Sequence, residues 1–176
     1  QEREFLDKVL VHAKHETNGK SMMFHDFVCF LIDTGARTYG DGMALLDRLN
    51  PMTSCIQWTN NTILFPVTKT GRGRAVPMTT RVKRILTERA KTARNDKIWY
   101  LLTKDNVRHY WDTIRAEMGW KDNRNYCPYI CRHTTASRMV SGGVSLINGH
   151  EIYGSYSVEY HFRLCSFSTI RLRRLC

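Results

Sequence analysis

Residues 126 to 146 read YCPYICRHTTASRMVSGGVSL. The apolar residues that follow Arg132 recur at helical spacing, and the pair Gly142-Gly143 predicts the end of that helix. The pattern therefore predicts an arginine directly before a helix. A guanidinium is a planar, permanently charged fork that matches two phosphate oxygens, and the free N–H groups of a helix start favour the same ligand. We interpret Arg132 as a candidate phosphate-binding residue, with an ordinary exposed arginine as the alternative.

The composition is that of one basic globular domain. The 176 residues are 42% hydrophobic and 11% aromatic, which excludes a disordered chain. Lysine and arginine total 27 against 16 acidic residues, and the net charge of +11 favours a polyanionic partner, DNA or RNA. No apolar run approaches the ~20 residues that span a bilayer, so we expect no membrane segment and a cytoplasmic setting.

A second arginine stands in the stretch DTGARTYGDGMALL, residues 33 to 46. Gly35 predicts the end of one helix, and the apolar residues from Met43 onward predict the start of another. Arg37 is thus expected in a tight connection, pointing out of a rigid corner. A surface loop arginine is the alternative for this residue taken alone.

A β-hairpin is predicted between residues 62 and 78. Ile63, Phe65 and Val67 alternate along the chain and would share one face of a strand, glycines supply a turn, and a second strand runs over 74–78. The hairpin carries three basic residues, which indicate either a solvated tip or a contact to the phosphate backbone: Lys69, Arg72 and Arg74.

Helical periodicity also covers residues 2–15, 22–32, 79–90 and 103–118. Thr103 is expected to cap the last of these helices. Lys104 and Arg108 on that helix are candidate DNA contacts, whereas Arg81 and its basic neighbours are expected to form a solvated face.

Metal and nucleotide chemistry have little support. The six cysteines show no CxxC pairs, and a disulfide framework is not expected. Cys127, Cys131 and His133 raise the question of zinc, but no second ligand pair has matching spacing. There is also no Walker loop, GxGxxG or HExxH motif. We therefore expect neither a metal nor a small-molecule cofactor.

Three of these stretches together resemble the tyrosine recombinases, the phage-integrase family. The string CRHTTASRMVSGGVSL is similar to the family's second arginine box, HxLRHTxASxLxxxGxxL. TGAR followed by an acidic residue resembles the first arginine box, and TKTGRGRAVP resembles the hairpin that carries the family's active-site lysine. Two departures stand out: Tyr129 occupies the usual histidine position, and Asp41 follows one residue later than the usual acidic group.

The resemblance implies an α+β fold that is mainly α-helical with a small antiparallel sheet. It implies site-specific recombination or integration of double-stranded DNA through a 3′-phosphotyrosine intermediate, by an enzyme that forms an oligomer on DNA and originates in a phage or bacterium. Arg37 and Arg132 would then stabilise charge on the pentacoordinate phosphorus, and Lys69 would protonate the departing 5′-oxygen.

The tail from residue 149 to 176 departs from the family pattern. Gly149-His150 and Tyr160-His161 resemble the expected elements, but Tyr160 lies ten residues beyond His150 where the family has nine. Tyr160 is the candidate nucleophile of the chain as written. When the tail is back-translated with permitted codons, a one-base shift of reading frame near codon 148 would restore the expected spacing, with histidine in place of Ser155 and tyrosine in place of Leu164. We therefore interpret residues 1–148 as a recombinase catalytic domain without the family's N-terminal core-binding domain, and the tail as frameshifted.

Two other functions fit the same residues. A type IB topoisomerase-like enzyme shares the chemistry and relaxes DNA without exchanging strands. A basic domain that binds DNA without catalysis is the alternative that an irregular tail favours.

Overall fold

The computed structural model describes residues 1–48, 50, 52–65 and 73–143. This part of the chain forms a mainly helical α+β fold, which confirms the expected class. Its elements, in chain order, are helices α1 (Glu2–His15) and α2 (Lys20–Thr34), strands β1 (Ile56–Gln57), β2 (Thr62–Phe65) and β3 (Arg74–Pro77), and helices α3 (Thr80–Ala90), α4 (Lys104–Glu117) and α5 (Ile130–Ser141). None of the helices in the described ranges is both long and apolar enough to cross a membrane.

Helix α2 is the centre of the core. Ten of its 15 residues are buried, because it is apolar around most of its circumference and the other four helices pack around it. Phe27 and Phe30 each contact the ring of Trp99, with centroids 5.3 and 5.5 Å apart. The C-terminal end of α2 is therefore a fixed point from which the following residues are positioned.

Gly35 ends α2, as the sequence predicts. Its backbone is left-handed, with φ 61°, and its N–H donates to the carbonyl of Leu31 at 2.9 Å. Residues with a β-carbon rarely adopt this conformation, so the glycine makes a tight exit from the helix possible. The exit sets the direction in which Ala36 and Arg37 leave the core.

The prediction of a helix from Met43 onward is wrong. The structure has instead one turn of π-helix over Thr38–Gly42. The N–H groups of Gly42 and Met43 donate to carbonyls five positions earlier, at 2.9 and 3.0 Å. Two glycines in this short stretch disfavour a continued α-helix, and a π-turn accommodates one residue more than an α-turn does.

The sheet is antiparallel with strand order β1-β2-β3. Ile63 on β2 lies opposite Ile56 on β1 and Val76 on β3, and all three side chains are buried. Leu64 between the buried positions is partly exposed, so β2 has the alternation that the sequence predicts. The predicted strand position Val67 lies outside the described residues.

Helices α3 and α4 begin at threonine caps. Thr79 accepts from the N–H of Val82, and Thr103 forms a reciprocal capping box with Asn106, as expected for that helix. The prediction of a solvated face on α3 is wrong for Arg81. Its guanidinium pairs with Asp33 near the end of α2, since that carboxylate faces the start of α3.

We predict that Gly42→Ala destabilises the fold by about 1 to 3 kcal/mol, because an added β-carbon would overpack the core. It would lie 2.9 Å from Cδ2 of Leu31 and 3.0 Å from Cε2 of Phe27. Gly40→Ala is the matched control in the same turn, where a β-carbon meets nothing within 4 Å. Urea unfolding of both variants measures the difference. Equal midpoints would contradict this account of the turn.

Candidate functional site

Helix α5 is joined to the C-terminal end of α2 by two side-chain hydrogen bonds. Nη1 of Arg132 donates to the carbonyl of Gly35 at 2.5 Å, and the hydroxyl of Thr135 donates to the carbonyl of Ile32 at 2.5 Å. The last carbonyls of a helix lack partners within it and carry its partial negative charge. A buried guanidinium and a hydroxyl from α5 satisfy them here.

Arg132 does not lie before α5, as the sequence analysis predicted, but inside its first turn. The helix begins at Ile130, and its first three N–H groups donate to the carbonyls of residues 127–129, at 2.8 to 3.3 Å. The prediction of free N–H groups at this helix start is therefore wrong. Arg132 is only 1% exposed, because its position within the turn directs it toward α2 and not toward solvent.

Arg37 lies at the corner between α2 and the π-turn. Its backbone N–H donates to Oδ2 of Asp41 at 3.0 Å, and its carbonyl accepts from the N–H groups of Asp41 and Gly42. The side chain of Arg37 is 33% exposed. The corner therefore holds the backbone of Arg37 firmly and leaves part of its guanidinium accessible to a ligand.

Asp41 connects this corner to the sheet. Its buried carboxylate accepts from Nη2 of Arg74 on β3 at 2.6 Å, and Arg74 also lies over the ring of Phe65, 4.6 Å from its centroid. A buried charge is costly unless it is paired and hydrogen-bonded, so the pair fixes both elements. The π-turn over Thr38–Gly42 brings the carboxylate of Asp41 back to the N–H of Arg37.

These contacts bring the two arginine stretches together at one end of α2. Arg132 bonds to Gly35, 97 positions earlier, and Gly35 stands two residues before Arg37. The family resemblance implies that Arg37 and Arg132 stabilise charge on the same phosphorus. The structure places Arg132 behind the corner that carries Arg37, with its charge buried.

A cleft of about 520 Å³ opens beside the exposed part of Arg37. We call it the arginine cleft. One wall is the Arg37 corner with Tyr39, another is the face of α4, and the third is the segment that leads into α5 and ends at Tyr129. Tyr129 is partly exposed and its ring meets that of His133 edge-on, with centroids 5.1 Å apart.

The electrostatics of the cleft favour an anion. Three arginines and one aspartate contribute to its lining: Arg37, Arg108, Arg115 and Asp112. Burial raises the pKa of Tyr39, although Arg108 nearby lowers it in part, so the phenol stays protonated at neutral pH and can donate a hydrogen bond. The lining thus combines positive charge with a neutral donor, a combination suited to phosphate oxygens.

The other candidate residues have different placements. Lys104 and Arg108 are exposed on α4, as expected. Arg74 was predicted to lie on a solvated tip or to contact the phosphate backbone, but its side chain is buried against Asp41, which pairs with its charge. Lys69, Arg72 and Tyr160 lie outside the described residues. Within the described ranges, no group of three or more His, Cys, Asp or Glu side chains could hold a metal ion.

Sequence reasoning missed Arg115, which lines the cleft together with Arg108. The signal was present, since Arg108, Asp112 and Arg115 are spaced four and three residues apart and so share one face of α4. Nothing in the sequence alone indicated that this face would lie opposite Arg37.

Solved structures of site-specific recombinases and transposon integrases have the same fold. The XerH site-specific recombinase bound to palindromic difH substrate, a post-cleavage complex, has a TM-score of 0.65 at 19% identity, over 90% of this chain and 45% of its own. The Tn1549 transposon integrase in complex with a circular intermediate DNA has a TM-score of 0.63 at 17% identity, over 100% of this chain and 64% of its own.

The chain therefore has the fold of the tyrosine recombinase catalytic domain, and the resemblance seen in the arginine boxes is confirmed at the level of the fold. It spans between about half and two thirds of the length of these solved proteins. No family model matches the sequence, and no curated protein matches it.

We predict that Asp41→Asn lowers the free energy of unfolding by about 3 kcal/mol, because it leaves Arg74 buried beside a neutral partner. Glu88→Gln is the control. It removes the charge that pairs with Lys91 at 2.7 Å, where both side chains are 63% exposed, and should cost less than about 1 kcal/mol. Chemical denaturation compares the two, and similar losses would refute a structural role for Asp41.

Proposed function

We propose that the chain belongs to a tyrosine recombinase that cleaves one strand of duplex DNA and rejoins it to another through a 3′-phosphotyrosine link. The fold supports this proposal, and so does the charge of +11. The observation that carries it is the hydrogen bond from Arg132 to Gly35, since it joins the two arginine stretches at one end of α2.

Arg37 and Arg132 have different parts in the proposed reaction. Arg37 would bind the scissile phosphate directly, because its guanidinium is partly accessible and its backbone is fixed by Asp41. Arg132 would hold the corner through Gly35 and add positive charge behind the phosphate. A preorganised charge in a buried setting stabilises developing negative charge more strongly than the same charge in water.

Lys69 is the proposed acid that protonates the departing 5′-oxygen. The described residues that flank it support this role, because Phe65 and Arg74 lie together and Arg74 is bound to Asp41 at the Arg37 corner. Phe65 and Arg74, described residues on either side of Lys69 in the sequence, therefore lie next to the Arg37 corner. A lysine can serve as an acid when neighbouring positive charge lowers its pKa.

Tyr129 lines the arginine cleft at the position where the family usually has histidine. We propose that its hydroxyl contacts the substrate phosphate as a hydrogen-bond donor. It would take the place of the usual histidine in binding, while proton transfer to the leaving group would depend on Lys69.

The nucleophile is proposed to come from the tail. Tyr160 is the candidate in the chain as written, and the tyrosine that the shifted frame puts in place of Leu164 is the candidate in the restored chain. An attacking oxygen must be in line with the phosphorus at about 3 to 3.5 Å, and a displacement of ~1 Å can cost two orders of magnitude in rate. We therefore propose that the chain as written binds DNA and that covalent catalysis requires the restored frame.

We predict that the restored chain forms covalent protein–DNA adducts and that the chain as written does not. Both are incubated with a pool of random-sequence nicked duplexes, which trap the phosphotyrosyl product because the cleaved end diffuses away. Adducts are then resolved on denaturing gels and sequenced. Two variants of the restored chain serve as controls and should give no adduct: phenylalanine at the restored tyrosine, and Arg37→Ala.

Three outcomes would contradict parts of this proposal. If the chain as written forms adducts that Tyr160→Phe abolishes, Tyr160 is the nucleophile and the tail is in its proper frame. If neither chain forms adducts while both bind duplex DNA, the protein is a DNA-binding domain without catalysis. Adducts without strand exchange between two duplexes would indicate a topoisomerase-like enzyme.

A further inference from the structure

The face of α4 that lines the arginine cleft carries a second group of charges. Nη2 of Arg115 is 3.0 Å from Oδ1 of Asp112, and Nε of Arg108 is 3.7 Å from its Oδ2. One carboxylate thus lies between two guanidinium groups. With Arg37 on the opposite wall, the lining retains a surplus of positive charge.

Both arginines keep donors for a ligand. Arg108 is 80% exposed and its contact with Asp112 is long, so water or an anion can reach most of its guanidinium. Arg115 is 19% exposed and lines the cleft, so part of its guanidinium can be reached from there. A guanidinium has five N–H donors in a fixed fork, and a single contact to Asp112 leaves most of them to be satisfied.

Tyr39, across the cleft from α4, can supply a further hydrogen-bond donor to a bound anion. Its ring is partly exposed, and its phenol lies near enough to Arg108 for that charge to act on its pKa. Burial has the larger effect and keeps the phenol protonated. Tyr39 and Arg108 line the same cleft, so the phenol and the guanidinium can both contact one bound anion.

We propose that the arginine cleft binds a second phosphate of the DNA backbone, adjacent to the one held by Arg37, with Arg108, Arg115 and Tyr39 as its ligands. This inference rests on the proposed function. Arg37 lines the same cleft, so the two phosphate sites are continuous, and the volume of about 520 Å³ leaves room for the sugar between them. The second site would fix the direction of the strand across the Arg37 corner.

The test is the salt dependence of duplex DNA binding by the full chain, measured by fluorescence anisotropy with a labelled duplex of mixed sequence. Removing one phosphate contact reduces the slope of log K against log salt by about 0.9. Arg108 and Arg115 bind the same phosphate, so we expect the full reduction when both are replaced by alanine and a partial reduction for Arg108→Ala or Arg115→Ala alone. Each should also weaken binding about tenfold at low salt, as expected when a charge-assisted hydrogen bond is removed.

Matched control variants are available on other faces. Arg3 on α1 is 3.9 Å from Asp7 in the same four-residue spacing as Arg108 and Asp112, and Arg48 is 3.8 Å from Asp96. Arg3→Ala and Arg48→Ala make the same change of charge outside the cleft and should leave the slope as in the unmodified chain. Arg108 is largely exposed, so its variant keeps the fold even if Arg115→Ala weakens it, which thermal unfolding would reveal.

The outcomes separate this inference from the function on which it rests. If the unmodified chain binds with a steep slope and the cleft variants match the controls, the second site is refuted and the recombinase proposal stands. If the unmodified chain shows no salt-dependent binding, the recombinase proposal itself fails. A free nucleotide offers the same phosphate chemistry, and calorimetry with thymidine 3′-monophosphate tests it. Saturable binding that requires Arg115 would assign the cleft to free nucleotides and overturn the DNA assignment.

Discussion

A positive charge buried against the C-terminal end of α2 organises the candidate site. Arg132 is removed from water, which is unfavourable for an ion, and the carbonyl of Gly35 at the negative end of α2 offsets that cost. Gly35 ends the helix in a left-handed conformation that glycine adopts readily, and this conformation sets the position of that carbonyl at the end of α2. Together with the bond from Thr135 to the carbonyl of Ile32, this contact holds α5 against the exit toward Arg37.

A second buried charge holds the other side of the corner. Asp41 binds the backbone of Arg37 and the guanidinium of Arg74, so that the turn and the sheet are fixed to each other. The two buried pairs thus surround a partly exposed arginine with rigid structure on both sides. Such preorganisation is what a site needs in order to stabilise charge that develops during a reaction, since no reorientation is required at that moment.

Much of the fold followed from periodicity, because α1, α3 and α4 have clear apolar faces and the caps at Gly35 and Thr103 have simple stereochemical causes. The π-turn could not be predicted from periodicity, because its hydrogen bonds depend on how Gly42 packs against α2 and not on a local pattern. The first turn of α5 was missed because its partners are carbonyls of the preceding segment. The burial of Arg74 and Arg132 depends on distant acceptors, and these cannot be read from spacing along the chain.

The central claim is that Arg132 acts through Gly35 to place Arg37 at a DNA phosphate. A crystal structure of the chain bound to a nicked DNA duplex tests it most directly. The account predicts a backbone phosphate oxygen within about 3 Å of the Arg37 guanidinium, with Arg132 still donating to the carbonyl of Gly35. DNA bound on another face, with Arg37 in contact only with solvent, would contradict it.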